Sequence, residues 1–245
     1  MINWPMTSYD KRMGLRNTPY LFMNWTQVKE AYLPGGWLNQ ITADIHDDIG
    51  IKYFGAYPEG FAGVASRGGY TTTIEGAEKM KVRTPPLFPI PQTMQALGYQ
   101  TAAIDWGEVY TSIQTGVVDG DAGNIIYWDY EYFRDVLDYY VRTKHVFVTG
   151  SISMNKYSWN KLSPEQQQIV ADAAKKVMEK QFVEAKSRDQ HYVDLAIESG
   201  MGYVVPSAAD IKKMATSARE KVWPLMEPVL GAEIMNRIKE NAPQL

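Results

Sequence analysis

The sequence predicts an α/β fold, on three observations. Residues 79–124 alternate short strand-like segments with helical ones, the order expected of a parallel sheet. Residues 163–197 keep a helical apolar stripe over about 36 residues, ~54 Å at 1.5 Å per residue, which is longer than one small domain. The chain has 245 residues, 45% of them apolar, enough for one or two buried cores.

Composition narrows the function classes. A net charge of −3 with no basic cluster argues against nucleic acid or a membrane surface as partner. No apolar run approaches the ~18 residues of a membrane span, so the chain is not expected to cross a bilayer. With zero cysteines there is no disulfide and no thiolate chemistry. Seven Trp and sixteen Tyr are mostly core material, and they also suit a ligand pocket. Met1-Ile2-Asn3-Trp4 reads as neither the basic start nor the apolar stretch of a secretion signal.

In chain order, residues 1–18 read as a polar, irregular, exposed loop with a basic cluster at Lys11, Arg12 and Arg16. Thr26 opens a short helix through Val28 and Tyr32, closed by Pro34-Gly35-Gly36. Trp37–Asp48 is a better helix, with Leu38, Ile41, Ile45 and Ile49 at three- and four-residue steps. Ile51–Phe54 reads as a strand, residues 58–69 as a glycine-rich loop, and Tyr70–Thr73 as a short strand. Lys81-Val82-Arg83 ends a strand that Pro85 and Pro86 cannot continue. A helix over Pro91–Leu97 stops at Gly98, and Ala102-Ala103-Ile104 forms the next strand. Asp105, with Glu108 three residues on, reads as a capping box opening a helix that Gly116 ends. Val117-Val118 is then a strand turned by Asp119-Gly120.

Aromatic residues crowd the stretch 125–140, with Tyr130, Phe133 and Leu137 on one helical face. Strands follow at His145–Val148 and Ser151–Asn155. Ser163-Pro164-Glu165-Gln166 is a strong helix start, with a Ser cap, Pro in the first turn and Gln at the third position. Tyr203–Pro206 reads as a strand, and Asp210–Trp223 and Glu233–Glu240 as terminal helices.

The central stretch brings several groups to one end of a sheet, where open α/β folds bind ligands. Arg83 follows a strand and offers a planar fork that matches a carboxylate. Trp106 stands at a predicted helix N-terminus, whose free amides and dipole favour an anion, and supplies an apolar wall. The turn from Gly120 to Asn124, which includes Gly123, adds backbone and amide donors. Tyr127 and Trp128 follow close behind it and are candidates to face a ligand. No nucleophile elbow, zinc helix, phosphate loop or dinucleotide fingerprint occurs, so no metal or cofactor is expected. His46 and His145 lack partners at metal spacing. Glu108 and Asp119 are explained by capping and turn formation.

Residues 81–86 (KVRTPP), Ala96-Leu97-Gly98 and residues 106–120 (WGEVYTSIQTGVVDG) together resemble the signature of TRAP-transporter solute-binding proteins, the DctP family. Its members carry lysine-x-arginine-x-proline, alanine-leucine-glycine and a closing valine-aspartate-glycine-glutamine-glutamate-asparagine. The resemblance implies a two-lobed periplasmic-binding-protein-like fold with a long lobe-bridging helix. The first lobe would consist of residues 1–59 with 148–188, and the second, carrying the main ligand contacts, of 60–147 with 189–245. It further implies a periplasmic receptor that binds a small organic acid between the lobes and delivers it to membrane subunits.

Family members begin with two strand–helix units absent here, so the first lobe is expected to be truncated or unusually short. The chain departs from the family in two other places. A second arginine expected after Gly60-Phe61 is Ala62, with Arg67 the candidate replacement from the loop. The glutamine-glutamate-asparagine is Asp121-Ala122-Gly123, with Asn124 one place late as the candidate amide. The expected ligand contacts are therefore Arg83, Trp106, Gly123, Asn124, Tyr127, Trp128 and Arg67. Two other readings fit the same scaffold: a hydrolase or lyase acting on an acidic small molecule, and a ligand-sensing module. Substrate turnover separates the first, and the identity of neighbouring genes the second.

Overall fold

A computed structural model describes residues 2–3 and 7–245. In chain order the strands are β1 (Ile2–Asn3), β2 (Ile51–Phe61), β3 (Val64–Ser66), β4 (Lys81–Thr84), β5 (Gln100–Ala103), β6 (Gly120–Ala122), β7 (Tyr139–Val141), β8 (Phe147–Asn155) and β9 (Gly202–Val204). The helices are α1 (Trp25–Tyr32), α2 (Trp37–Asp48), α3 (Ile74–Ala77), α4 (Ile90–Ala96), α5 (Val109–Gln114), α6 (Ile126–Phe133), α7 (Lys156–Trp159), α8 (Pro164–Glu198), α9 (Ala208–Leu230) and α10 (Ala232–Asn241). Single 3-10 helices occupy Lys11–Asn17 and Trp106–Glu108.

The strands form two sheets, and each is the centre of a lobe. The first is antiparallel with order β1-β8-β2. The second has order β5-β4-β6-β3-β7-β9, in which β5-β4-β6 and β7-β9 run parallel. Alternation along its strands covers both faces. On β3, Val64 packs with Val82, Met94 and Leu97, while Ala65 packs with Val109, Ile126 and Tyr140. Around the first sheet, Leu38, Ile45, Ala56, Phe61, Phe147 and Ile152 form a separate core.

Two strand crossovers and two helices join the lobes. β2 leads into β3 where Ala62 N–H donates to the Val146 carbonyl at 2.9 Å and Gly63 N–H to the Asn124 carbonyl at 3.0 Å. β7 leads into β8 through Arg142–Val146. The third connection is α8, 35 residues long, opened by the capping box that its sequence announces: Ser163 Oγ accepts from Gln166 N–H, and Gln166 Oε1 from Ser163 N–H. Its first half lies on β2, where Gly55 admits Met178 and the Gln181 amide donates to the Pro58 carbonyl at 2.8 Å. Its second half meets the other lobe, with Val193 and Ala196 buried against the Phe133 cluster and Tyr192 Oη donating to Glu131 at 2.9 Å. Ion pairs fix it to both crossovers, Arg188 to Glu59 and Arg142 to Asp189. α9 also spans the lobes. Met214, Ala215 and Ala218 pack under the second sheet, and Val222, Met226 and Leu230, with Met235 and Ile238 of α10, join the first core.

Several local expectations change. Of the opening stretch, residues 1 and 4–6 lie outside the described residues. Lys11–Asn17 is a 3-10 helix with Met13, Leu15, Arg16 and Asn17 buried, because the apolar side of a short basic segment is recruited to the first core. β2 runs through to Phe61, held by pairing with β8 that local turn residues could not reveal. Tyr70–Thr73 is not a strand, and Thr73 instead caps α3. The strand expected at Val117-Val118 forms three residues later, as β6. Gly120 is drawn into it because a side chain there would meet the Ala65 carbonyl at 2.0 Å, so only glycine lets β6 approach β3. The helix expected to carry Leu137 ends at Phe133, since Tyr139–Val141 is claimed by β3 and β9. The strands expected at His145–Val148 and Ser151–Asn155 are a single strand, β8.

Both buried histidines are held neutral. His46 shares Nδ1 with the Thr42 carbonyl at 2.7 Å and Nε2 with Ser151 Oγ at 3.1 Å, and burial, helped by the Arg16 charge, pushes its pKa down to about 4. Burial pushes His145 to about 3. The unfolded chain takes up protons near pH 6.5 that the folded rings refuse, so the stability these rings confer is fully present above pH 6.5 and is lost as pH falls toward 4. Urea unfolding at stepped pH is expected to show a loss of roughly 3 kcal/mol from His46 over that window, reduced in His46→Gln. A midpoint independent of pH between 6.5 and 4 would contradict this.

Candidate functional site

The register of the second sheet builds the site. β4 and β6 are adjacent and parallel, and Arg83 lies opposite Asp121. Arg83 Nη1 donates to Asp121 Oδ1 at 3.0 Å and Nε to the Ile104 carbonyl at 2.8 Å. The arginine is 3% exposed and the aspartate 0%. Nη2 makes no hydrogen bond among the described residues, yet it is not sealed from solvent. The end of the guanidinium fork thus remains available.

Beside it opens a cavity of about 490 Å³, within the ~300–1,000 Å³ typical of small-ligand sites. The carboxyl ends of β4, β5 and β6 supply Arg83, Trp106, Gly123 and Asn124, and α6 adds Trp128 and Tyr132. From the other side come Asn17 of the first 3-10 helix and Val146, Val148 and Thr149 of the β7–β8 crossover and β8. Pro85, Leu87 and Ile90 complete a mostly apolar lining. The cavity therefore lies between the lobes.

Its walls are fixed by local chemistry. Gly123 has φ +126°, and a Cβ there would stand 2.9 Å from Pro85 Cδ, so glycine is required on both counts. Asn124 is held by its backbone carbonyl, which accepts from Gly63 N–H and Tyr140 Oη, and by its amide, which donates to Asp129 Oδ1 at 2.9 Å. The Trp106 ring is 44% exposed and packs edge-on against Trp128 and Tyr132, with centroids 6.3 and 5.4 Å away. Arg83 Cζ lies 6.0 Å from the Trp106 ring.

Two buried carboxyls stand behind the wall. Burial raises the Asp121 pKa, opposed by the Arg83 charge. Burial, with Asp121 close by, holds Asp129 well above the carboxylate range. The Arg83 charge therefore favours the ionised form of Asp121, while burial without a cation of its own favours the protonated form of Asp129. Sequence gave no cue to Asp129. Asp121 was visible only as a departure from the family glutamine.

Of the seven residues expected at the site, Arg83, Trp106, Gly123, Asn124 and Trp128 line the cavity. Arg67 does not. It caps the C-terminal end of α5, with Nη1 2.9 Å from the Gln114 carbonyl, because the β3 extension carries it to the far side of the sheet. Tyr127 also lies outside the lining, stacked on Tyr192 at 4.7 Å beneath Arg188. Consecutive helical positions point about 100° apart, so Tyr127 and Trp128 face different ways. The helix expected at Asp105 is a three-residue 3-10 turn followed by the six-residue α5, and Asp105 makes no side-chain cap. The capping box is absent, and the helix N-terminus expected at Trp106 is reduced to a short turn. Asn17 and Tyr132 were missed, since nothing in their local sequence marks them. Among the described residues, no cluster of His, Asp and Glu could hold a metal ion.

Two lobes joined by two strand crossovers and two helices, with a cavity between them, are the architecture of the solute-binding proteins. Comparison with known proteins agrees. The ectoine-binding periplasmic protein TeaA of Halomonas elongata is 29% identical over 157 residues, 64% of this chain and 46% of that protein. UehA of Ruegeria pomeroyi, an ectoine/5-hydroxyectoine-binding periplasmic protein, is 29% identical over 138 residues, 56% of this chain and 40% of that one. The chain thus matches about half the length of these curated relatives. Among solved structures, the periplasmic ectoine-binding protein of the TeaABC TRAP transporter of Halomonas elongata superposes with a TM-score of 0.89 at 22% identity, covering 98% of this chain and 81% of that one. A TRAP periplasmic solute-binding protein from Desulfovibrio salexigens with bound orotic acid gives 0.87 at 20%, covering 98% and 78%. These superpositions establish the fold. The chain belongs to the bacterial extracellular solute-binding proteins, family 7, the DctP family, which it matches over residues 3–227. No helix among the described residues is long and apolar enough to cross a membrane.

The charge assignment has a direct test in urea unfolding at pH 7. Asp121→Ala leaves a buried guanidinium unpaired and is expected to cost about 3–5 kcal/mol. Asp129→Asn replaces a neutral carboxyl by a neutral amide and is expected to stay within about 1 kcal/mol of the parent. The reverse order of costs would place the charge on Asp129.

Proposed function

We propose that this chain is the extracytoplasmic receptor of a TRAP-type transporter. It binds an organic carboxylate in the inter-lobe cavity, in the periplasm, and delivers it unchanged to the membrane subunits. The observation that carries this proposal is that Arg83 is the one charged residue among the described residues lining the cavity, and the end of its fork is unoccupied. Trp106 and Trp128 are the ring walls, Gly123 and Asn124 the polar edge, and Asn17 with Tyr132 the additional contacts we assign. Binding without turnover is supported by the described lining residues, which include no His, Asp, Glu or Lys to act as base or nucleophile.

The named relatives bind ectoine, and the Desulfovibrio salexigens structure holds orotic acid. Each of those ligands is a six-membered nitrogen ring bearing one carboxylate, and we take a compact ring acid as the ligand class here. Micromolar affinity corresponds to about −8 kcal/mol. One charge-assisted hydrogen bond contributes only ~1.5–3 kcal/mol of that. Burial of the ring against the aromatic wall as the lobes close supplies the remainder. We place the lobe division at residues 59–60, 147–148 and 188–189, and assign the end of α9 and α10 to the first lobe on the packing of Val222–Ile238.

Thermal shift and titration calorimetry with a panel of ring carboxylates test this. Arg83→Lys keeps the charge but loses the fork, and is expected to weaken binding at least ~10-fold. Trp106→Ala removes a partly exposed ring, so the protein should still fold while affinity falls by a similar factor. Binding indifferent to both substitutions, or loss of the acid on incubation, would refute the receptor assignment.

A further inference from the structure

We infer that Asp121 sets the charge class of the ligand, and that the cavity selects a zwitterionic carboxylate of zero net charge over mono- and dianionic acids. This rests on the carboxylate-receptor proposal above and specifies its ligand.

The basis is the charge count around the cavity. Arg83 is the one charged lining residue among those described, and its charge is matched before any ligand arrives by Asp121, 3.0 Å away and fully buried. Asp121 occupies the position where the family signature has a neutral glutamine, and Ala122 that of its glutamate, so the departure moves the carboxylate one place, into register with Arg83. A second buried carboxyl, Asp129, stands on the same wall, bonded to Asn124. The guanidinium is therefore already matched by Asp121, while Asp129 is bonded to Asn124 and not to Arg83. A ligand carboxylate becomes the second acid group on that cation. A net-anionic ligand would bring charge into an apolar cavity with nothing to balance it, and a second carboxylate would find neutral polar neighbours such as Asn17, Asn124, Tyr132 and Thr149 but no second cation among the described lining residues.

A cationic group on the ligand removes the imbalance, and the cavity has a surface for it. Trp106, Trp128 and Tyr132 all line the cavity, and the Trp106 ring stands at 75° to Trp128 and 82° to Tyr132. Aromatic rings set steeply against Trp106 form a corner whose π-faces attract a delocalised or alkylated cation without requiring a counter-charge. The carboxylate would meet the free end of Arg83, which already lies 6.0 Å from the Trp106 ring, and the cation would meet the aromatic corner.

Calorimetry with ectoine as the zwitterion, D-glucuronate as the monoanion and succinate as the dianion tests this. Measurements are made on the wild type, on Arg83→Lys, and on the double variant D121N/D129N, which leaves no acid to re-pair Arg83. The wild type is expected to bind ectoine at least ~10-fold tighter than glucuronate, with succinate weaker still. In the double variant the succinate-to-ectoine affinity ratio should move at least ~10-fold toward succinate, a change that simple loosening of the fold would not produce. A wild type that binds glucuronate or succinate as tightly as ectoine overturns the charge selection and leaves the carboxylate receptor standing. An unchanged ratio in a folded double variant does the same. If that variant fails to fold, the wild-type ranking decides. Binding of none of the three, or binding unaffected by Arg83→Lys, overturns the receptor proposal and this inference together.

Discussion

The buried pair between Arg83 and Asp121 is the constraint on which the site depends. It joins directly opposed residues on two parallel strands, so it is both part of the sheet and part of the cavity wall. Removing a guanidinium and a carboxylate from water is costly, and their attraction repays it only with good geometry and further hydrogen bonds. Arg83 has the Ile104 carbonyl as its second partner, but Asp121 Oδ2 has none. The pair is thus poorly suited to a purely stabilising role and well suited to presenting one end of a charged fork to an apolar space. Its placement requires Gly120, which allows β6 to lie against β3 and so brings Asp121 into register.

Around this fixed point the lobes are held by contrasting means. Their cores are separate hydrophobic clusters, while the connections between them are strands and long helices braced by ion pairs. The braces cluster where α8 passes the crossovers: Glu59 and Arg142 lie beside the points where the chain changes lobes, and Arg188 and Asp189 are neighbours on the helix. Polar braces at a crossover can rearrange with less loss than a packed core, which suits two lobes that close on a ligand. The cavity draws its lining from both lobes, so its volume depends on how they are set.

Much of this was legible in sequence where local chemistry decides the outcome. The capping box at Ser163, the apolar spacing of Trp37–Asp48 and the stop at Gly98 depend on neighbours within a few residues, and each formed where its residues indicate. Arg83 and Trp106 stood out through a motif of fixed spacing, and Gly123, Asn124 and Trp128 through their place at or just behind the turn that departs from it; these five line one cavity. Errors concentrated where pairing partners are distant. β6 was displaced by three residues because Val117-Val118 has the higher strand propensity while β3 claims Gly120. The capping box at Asp105 had the right residues but no helix long enough to use them. Arg67 was the right chemical type, on a loop whose direction sequence does not encode.

The sequence alone determined the α/β class, the long bridging helix and the family, because these follow from periodicity, caps and a contiguous motif. Only the tertiary structure decided that Arg83 carries its own counter-ion, that Asp129 is a buried acid with no cation of its own, and that Asn17 and Tyr132 share a cavity with residues far away in the chain. The reason is physical: burial and electrostatic pairing are set by strand register and by the approach of two lobes, and neither quantity is a property of any short stretch of residues.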